Sequence, residues 1–403
     1  MLAPLLLCNP NCFDSIFNRQ SSSMKKYIVV FLLLLGGLPF ISQAQFVVTG
    51  VILDSSSREP LVNASVFCQN TTLGTVTNKQ GEFSLSLKSG GYDLIFSYTG
   101  YQTQTLRVTE EKRLEILMIK EEKSMGEVVL RNSYEVTDGL EKYGDFFLKN
   151  FIGSTPNAAQ CVLTNPEVLK FYFYKKSNRL KVMATDALQI SNKALGYNLR
   201  YQLDSFVWYY NTSINSYRGY CLYTEMEGND SLKKSWFVNR AKAYEGSKLH
   251  FMRSYYDSTL IEDGWIVDLL DKNDNKKFNK INVYDSSYYN LIAYTRDSLI
   301  MQRRDSITID TAIQQVPTGQ VEVELYFPRK ISVTYTKKRP EAEYIKAMNL
   351  PKGVPYIISY IDIRQPIAIM ENGYYYDQRV WVNQGYWSWK NVGDLLPYDY
   401  VPN

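Results

Sequence analysis

The sequence predicts a mainly β protein: a small N-terminal β-sandwich followed by a larger antiparallel β-rich domain with two or so helices, an α+β arrangement. Three observations carry that expectation. Residues 46–118 alternate short apolar runs with turn residues. The chain holds 33 Tyr, a residue that favours strands and half-wet surfaces. Most of the chain after residue 166 divides into short apolar runs bounded by polar turns, with few helical periods.

At 403 residues and 45% apolar composition the chain has ample material for buried cores. A formal charge of +4 gives no support to nucleic-acid binding. Of the five cysteines, Cys8 and Cys12 lie upstream of an export-like segment, which leaves Cys68, Cys161 and Cys221. Three thiols make no disulfide framework and no zinc spacing. Cys161 and Cys221, placed in the same domain, are the pair expected to close if one forms.

Four segments follow in order. Residues 1–44 read as an upstream extension and a signal peptide: Met24-Lys25-Lys26 is basic, Tyr27 to Leu35 is apolar, and Ser42-Gln43-Ala44 offers small residues for cleavage after Ala44. Residues 45–120 are the sandwich, 121–135 a charged linker, and 136–403 a β-rich domain of unknown function. Such a start directs the protein across the inner membrane, to the periplasm or the outer membrane.

Within the sandwich, Phe46, Val48, Val51 and Leu53 belong to a first strand, left through the turn formers Asp54-Ser55-Ser56-Ser57. Asn78-Lys79-Gln80-Gly81 marks a tight turn, and Phe83, Leu85 and Leu87 alternate with Ser84 and Ser86 as a half-buried strand does. Val48-x-Gly50-x-Ile52-x-Asp54, Glu59-Pro60-Leu61-x-x-Ala64-x-Val66, Gly74-Thr75-x-Thr77-x-x-x-Gly81-x-Phe83 and Ser97-Tyr98-x-Gly100-Tyr101 together resemble the carboxypeptidase-regulatory-like domain, a transthyretin-like β-sandwich. The resemblance covers about 75 residues, with Asn78 where the family usually has Asp. It implies a non-catalytic module, such as accompanies the zinc domain of metallocarboxypeptidases or begins many outer-membrane receptors of gram-negative bacteria. Glu127-Val128-Val129-Leu130 is similar to the stretch before the plug of TonB-dependent receptors, but the remaining chain is too short for a receptor barrel.

Beyond the linker, Thr137-Asp138 reads as a helix N-cap, with Leu140, Tyr143, Phe147 and Phe151 along one face that packs on a sheet. A second helix is expected over Arg240 to Tyr255. Strands are expected at 168–174, 180–184, 197–210, 217–226, 264–267, 321–327, 331–335, 356–363 and 373–382. This half resembles an uncharacterised secreted family of gram-negative envelope proteins that carries the same N-terminal sandwich, through Asn192-Lys193-Ala194-Leu195-Gly196-Tyr197, Asn239-Arg240-x-x-Ala243-Tyr244-x-Gly246-Ser247 and Leu395-Leu396-Pro397-Tyr398-Asp399-Tyr400. No activity comes with that resemblance.

His250 is the single histidine, so a His-dependent triad must use it, and a His-rich zinc site is excluded. Beside Phe251 and Arg253 at helical spacing it reads as structural. Asp271, Asn273 and Asn275 alternate as in a calcium loop, but Lys276 stands where that loop needs Gly. Five Asp-Ser/Thr-apolar triplets, among them Asp230-Ser231-Leu232 and Asp257-Ser258-Thr259, resemble acceptors of a periplasmic O-glycosylation system. Trp381, Tyr386, Trp387 and Trp389 are the candidate ligand platform, because flat rings stack on the apolar faces of sugars; the competing reading is that they fill a core. No catalytic, cofactor-binding or metal residue is expected, and no cofactor. The expected role is a secreted cell-envelope binding or accessory protein whose partner is an envelope protein or glycan, with peripheral membrane association open. The alternative is a hydrolase acting on envelope or dietary polysaccharide through an unrecognised carboxylate pair.

Overall fold

A computed structural model describes residues 45–88, 91–121, 134–271, 276–285, 287–294, 299–303, 320–375 and 380–402. The signal-peptide reading, most of the linker with its Glu127 to Leu130 run, residues 272–275 of the loop after Asp271 and the triplets at 305–312 lie outside those residues. Residues 45–403 cluster as one unit, mostly β with few helices.

The sandwich holds strands β1 Gln45–Asp54, β2 Ser65–Cys68, β3 Gly74–Val76, β4 Glu82–Lys88, β5 Tyr92–Ser97, β6 Gln104–Val108 and β7 Lys112–Met118. They form two sheets, ordered β4-β1-β7 and β3-β2-β5-β6, whose facing side chains, Val48, Ile52, Val66, Phe83, Leu85, Leu94 and Phe96 among them, make one core. The turn into β4 follows from its chemistry. Gly81 has φ +74°, a Cβ there would lie 2.7 Å from the Ile52 carbonyl oxygen, and the Asn78 Oδ1 accepts from the Gln80 and Glu82 amides. The Asp54 carboxylate, itself buried, accepts from the Ser56 and Ser57 amides and the Tyr101 hydroxyl and pairs with Lys120, which holds it far below the usual carboxylate range.

The middle of the chain builds β8 Tyr134–Glu135, β9 Cys161–Leu163, β10 Leu169–Tyr174, β11 Arg179–Ala184, β12 Leu188–Asn192, β13 Tyr197–Tyr209 and β14 Ile214–Glu225. In this sheet β13 is the axis, paired along its length with β14 and on its other side with β12 and then β11. Helix α1, Gly139–Phe151, lays Phe147 and Phe151 on it against Phe171, Phe206, Tyr201 and Tyr217. The predicted face is therefore partly right: Leu140 is exposed, and Asp138 stands at the N-cap without a side-chain cap bond.

Two further sheets share the largest core. One runs β16-β15-β20-β21-β23 and the other β18-β17-β19-β22, from strands β15 Trp265–Leu270, β16 Lys277–Lys280, β17 Tyr289–Tyr294, β18 Leu299–Arg303, β19 Gln320–Leu325, β20 Ile331–Tyr335, β21 Ile357–Ile363, β22 Ile367–Ile369 and β23 Trp381–Gly385. The single helix expected over Arg240 to Tyr255 is two: α2, Asp230–Tyr244, and α3, Lys248–Tyr256. Ser247 interrupts them because its hydroxyl caps α3 by accepting from the His250 amide at 3.1 Å. Two short α-helices, α4 Ala342–Ala347 and α5 Tyr386–Trp389, and three 3-10 turns, Ala158–Gln160, Pro166–Val168 and Val392–Asp394, complete the regular elements among the described residues.

The sandwich is pinned to the rest by its β2–β3 loop. Asn70 donates its amide to the Cys221 carbonyl, Thr71 accepts from the Tyr223 amide, and Thr71 bridges Leu222 in parallel register. The C-terminal segment closes over this loop, with the Tyr398 amide donating to the Asn70 carbonyl at 2.8 Å. On another side, Arg107 of β6 pairs at 3.0 Å with Glu322 of β19, a buried carboxylate.

Candidate binding cleft

The four rings expected as a platform are all buried. Trp387 donates its Nε1–H to the Gly246 carbonyl and packs on Phe251 and Trp265. Tyr386 and Trp389 enclose Tyr344, with the Tyr386 hydroxyl donating to Glu341. Trp381 packs on Tyr375 and, with it, surrounds the Lys248 ammonium, which donates to the Tyr375 hydroxyl at 2.7 Å; burial pulls that ammonium down to about 8. The physical reason is that β23 and α5 turn these rings inward onto α3 and β21, so the sheet consumes them as core. Tyr374 is also buried, where its hydroxyl donates to Asp93 of the sandwich.

Where the sandwich loop, α2, the ends of β13 and β14 and the C-terminal segment meet, the surface opens into a cleft of about 470 Å³. Its base is the Tyr197 ring with the Arg240 guanidinium over it at 3.8 Å. Arg240 is held by three bonds: Nε donates to the Leu195 carbonyl at 2.7 Å, Nη2 to the Gly196 carbonyl, and Nη1 to Glu225 at 2.7 Å. The opposite wall carries Asp399, which accepts from both the amide and the hydroxyl of Thr72. Apolar walls come from Met226, Phe237, Pro397 and Val401, of which Phe237 and Val401 are 46% and 65% exposed. Lys233 stands among the lining residues as well.

Gly196 makes this geometry reachable. It has φ +68°, and a Cβ would lie 2.2 Å from the Trp236 ring, so only glycine lets α2 settle on the β12–β13 turn, where Trp236 donates to the Lys193 carbonyl. The cleft holds two carboxylates, Glu225 paired with Arg240 and Asp399 bonded by Thr72. It offers exposed apolar surface inside a fixed polar frame, the usual makings of a recognition site.

Sequence reasoning missed the cleft because α2 has Trp236 as its one fully buried residue, with only its C-terminal part half-buried, so no apolar stripe marks it. The adjacent Trp236-Phe237 pair between lysines and arginine was the available signal. His250 sits among the rings of Tyr244, Trp265 and Tyr335, and burial draws it down to about 4. Cys68, Cys161 and Cys221 are free. Cys161 in β9 and Cys221 in β14 are separated by β12 and β13, about 14 Å at ordinary strand spacing, and their register partners, Asn192 and Tyr201, are offset along the sheet. A disulfide needs Cα atoms within about 7 Å, so the expected pair cannot form. Of the acceptor-like triplets, Asp230-Ser231 opens α2 and Asp257-Ser258 ends α3.

Comparison with known proteins identifies one class of module in this chain. Residues 48–130 match the CarboxypepD_reg-like domain family, so the sandwich is a domain of that type. Over 87 residues the chain is 34% identical to TonB-dependent receptor P39 of Formosa agariphila, covering 22% of this chain and 8% of the receptor. Over 105 residues it is 33% identical to TonB-dependent receptor SusC of Bacteroides thetaiotaomicron, covering 25% of this chain and 10% of the receptor. The matched stretch thus spans 10% or less of those relatives' length. Among solved structures, a type II cohesin–X-dockerin complex from Acetivibrio cellulolyticus overlaps 19% of this chain and 58% of its own at 28% identity and a TM-score of 0.16.

Proposed function

We propose that this protein is a non-catalytic binding or accessory protein of the cell envelope, exported across the inner membrane, and that it docks to an outer-membrane protein or a glycan through the cleft between α2 and the C-terminal segment. One observation carries the reading: the domain type shared with TonB-dependent receptors supplies a wall of the cleft, through Thr72. The module is therefore part of the surface that would meet a partner. Cleavage after Ala44 would leave a mature chain starting where β1 starts, at Gln45.

The role of the walls is physical. Exposed Phe237 and Val401 supply apolar area to be covered on binding, and the Arg240–Glu225 and Thr72–Asp399 pairs keep their spacing fixed, so little ordering has to accompany capture. The test is envelope fractionation of cells producing the full chain, followed by affinity isolation. The expected result is envelope recovery with a partner or glycan retained by the native protein and lost with Phe237→Arg and Val401→Arg. Cytosolic recovery, or retention unaffected by both changes, contradicts it.

A further inference from the structure

The two sheets of the sandwich end in four edge strands, β4, β7, β3 and β6, and three of them are closed. The end of β7 is covered by the segment leading into β6, with the Gln104 side-chain amide donating to the Leu117 carbonyl at 2.6 Å and the Gln102 amide to the Ile119 carbonyl. β6 itself is fixed to β19 by the Arg107–Glu322 pair. β3 is three residues long, and Gly74 at its start abuts the Leu222 side chain of β14. β4 is the exception.

This strand runs for seven residues, Glu82–Lys88, and pairs with β1 in unbroken antiparallel register from Gln45↔Lys88 to Val51↔Glu82. The Ile52 amide donates to the Gly81 carbonyl, so the alternation of an antiparallel ladder turns the backbone groups of Phe83, Leu85 and Leu87 toward β1 and those of Glu82, Ser84, Ser86 and Lys88 away from it. The turn before β4 agrees, since the Asn78 amide donates to the Glu82 carbonyl and the Asn78 side chain accepts from the Glu82 amide. Beyond Glu82, the outward N–H and C=O groups of Ser84, Ser86 and Lys88 have no backbone partner among the described residues. All four outward residues are exposed, while Phe83, Leu85 and Leu87 fill the sandwich core. Proteins blunt such an edge with a proline, a bulge or a charge in mid-strand. β4 has none of these: its middle is Ser84-Leu85-Ser86, and its charges stand only at the two ends.

We propose that β4 is a homodimer interface, at which a second copy of this chain adds its own β4 antiparallel to the first. The strand is complementary to itself. Reversed about Leu85, it sets Glu82 opposite the partner's Lys88 and Lys88 opposite the partner's Glu82, with Ser84 and Ser86 opposite the partner's Ser86 and the partner's Ser84. Those serines carry the open backbone groups, so each of their pairs exchanges both N–H···O bonds. A parallel addition in register would set like charges side by side, which disfavours it. Seven residues of strand make a small contact beside the roughly 1,600 Å² of a standard interface, so the dimer is of the weak, reversible kind.

Sedimentation velocity on the purified chain, over a dilution series from about 1 μM to about 1 mM, is expected to show a monomer–dimer equilibrium. Ser86→Pro removes an outward donor that β1 does not use, so it should leave Tm nearly unchanged and raise the dimer Kd about tenfold. Glu82→Lys and Lys88→Glu should each raise Kd about fivefold, because each creates like-charge pairs at both ends of the two-fold contact. The double reversal Glu82→Lys/Lys88→Glu should restore Kd to within about twofold of the original. That restoration requires the two positions to face each other across copies, which a general effect on folding does not supply. A monomer throughout the series overturns the proposal, whether or not another protein takes the edge. So does a dimer indifferent to Ser86→Pro, or single reversals that the double reversal does not repair. If Ser86→Pro fails to fold, the charge-reversal set decides alone. Phe237→Arg and Val401→Arg leave β4 untouched, so failure here and failure of cleft binding are told apart.

Discussion

The cleft and the outward face of the five-stranded sheet treat their polar groups in opposite ways. In the cleft Arg240 is bonded to two carbonyls and a carboxylate, and Asp399 to the Thr72 amide and hydroxyl. On the sheet face, Ser332 and Thr334 keep buried hydroxyls that nothing in the fold engages. The first surface is a frame that folding closes by itself, and its recognition elements are the apolar Phe237 and Val401. The second leaves two hydroxyls unbonded and shut away from solvent. Stability should therefore respond in opposite senses to substitution at the two places.

The largest effect is expected from Arg240→Ala. It strips the Leu195 and Gly196 carbonyls and Glu225 of a charged donor at once, and should cost about 3 kcal/mol, read as a fall in the denaturant midpoint. Gly196→Ala forces a methyl toward the Trp236 ring at a positive φ and should cost about 2 kcal/mol; chemical denaturation and the intrinsic fluorescence of Trp236 check it. Thr72→Val removes one bond between the sandwich loop and Asp399, for about 1 kcal/mol, and limited proteolysis should show earlier release of the sandwich. At the other extreme, Ser332→Ala and Thr334→Val should leave stability within about 0.5 kcal/mol or raise it. A large loss there would erase the contrast.

His250 provides a check on the core that supports α3. Its folded pKa, about 4, lies below the ordinary imidazole value. Between roughly pH 6.5 and 4 the unfolded chain binds the proton more readily. Its contribution to stability is therefore fully present above that window and is lost as pH falls through it. As the single histidine of the sequence, it gives one imidazole resonance whose NMR titration should centre near 4; a midpoint at 6 or above would contradict the packing of Tyr244, Trp265 and Tyr335 around it.

Much of the fold was legible in the sequence wherever local chemistry decides the outcome. The 331–335 strand matches residue for residue, and β10, β11, β13 and β21 fall within a residue or so at each end of the expected ranges. The turn at Asn78 to Gly81 was readable because glycine and asparagine chemistry fixes it locally. Strands β7, β8, β9, β12, β16, β17, β18 and β22 escaped notice: most are short, and their place depends on partners distant in sequence. The rings of Trp381, Tyr386, Trp387 and Trp389 misled in the other direction, since ring content alone does not say which way a chain turns. The cleft was hidden because its walls come from four separate stretches, and its helix owes its position to one glycine rather than to an apolar face.

The most direct test of the envelope-binding account is site-specific photo-crosslinking in the producing cell, with a benzophenone side chain placed at Phe237 in the cleft and, separately, at Ile261, which is 77% exposed and does not line it. The account predicts a discrete adduct in the envelope fraction from position 237 that is absent from position 261 and disappears with Val401→Arg. The same adducts from both positions, or none from 237 in envelope-fractionated protein, would contradict it.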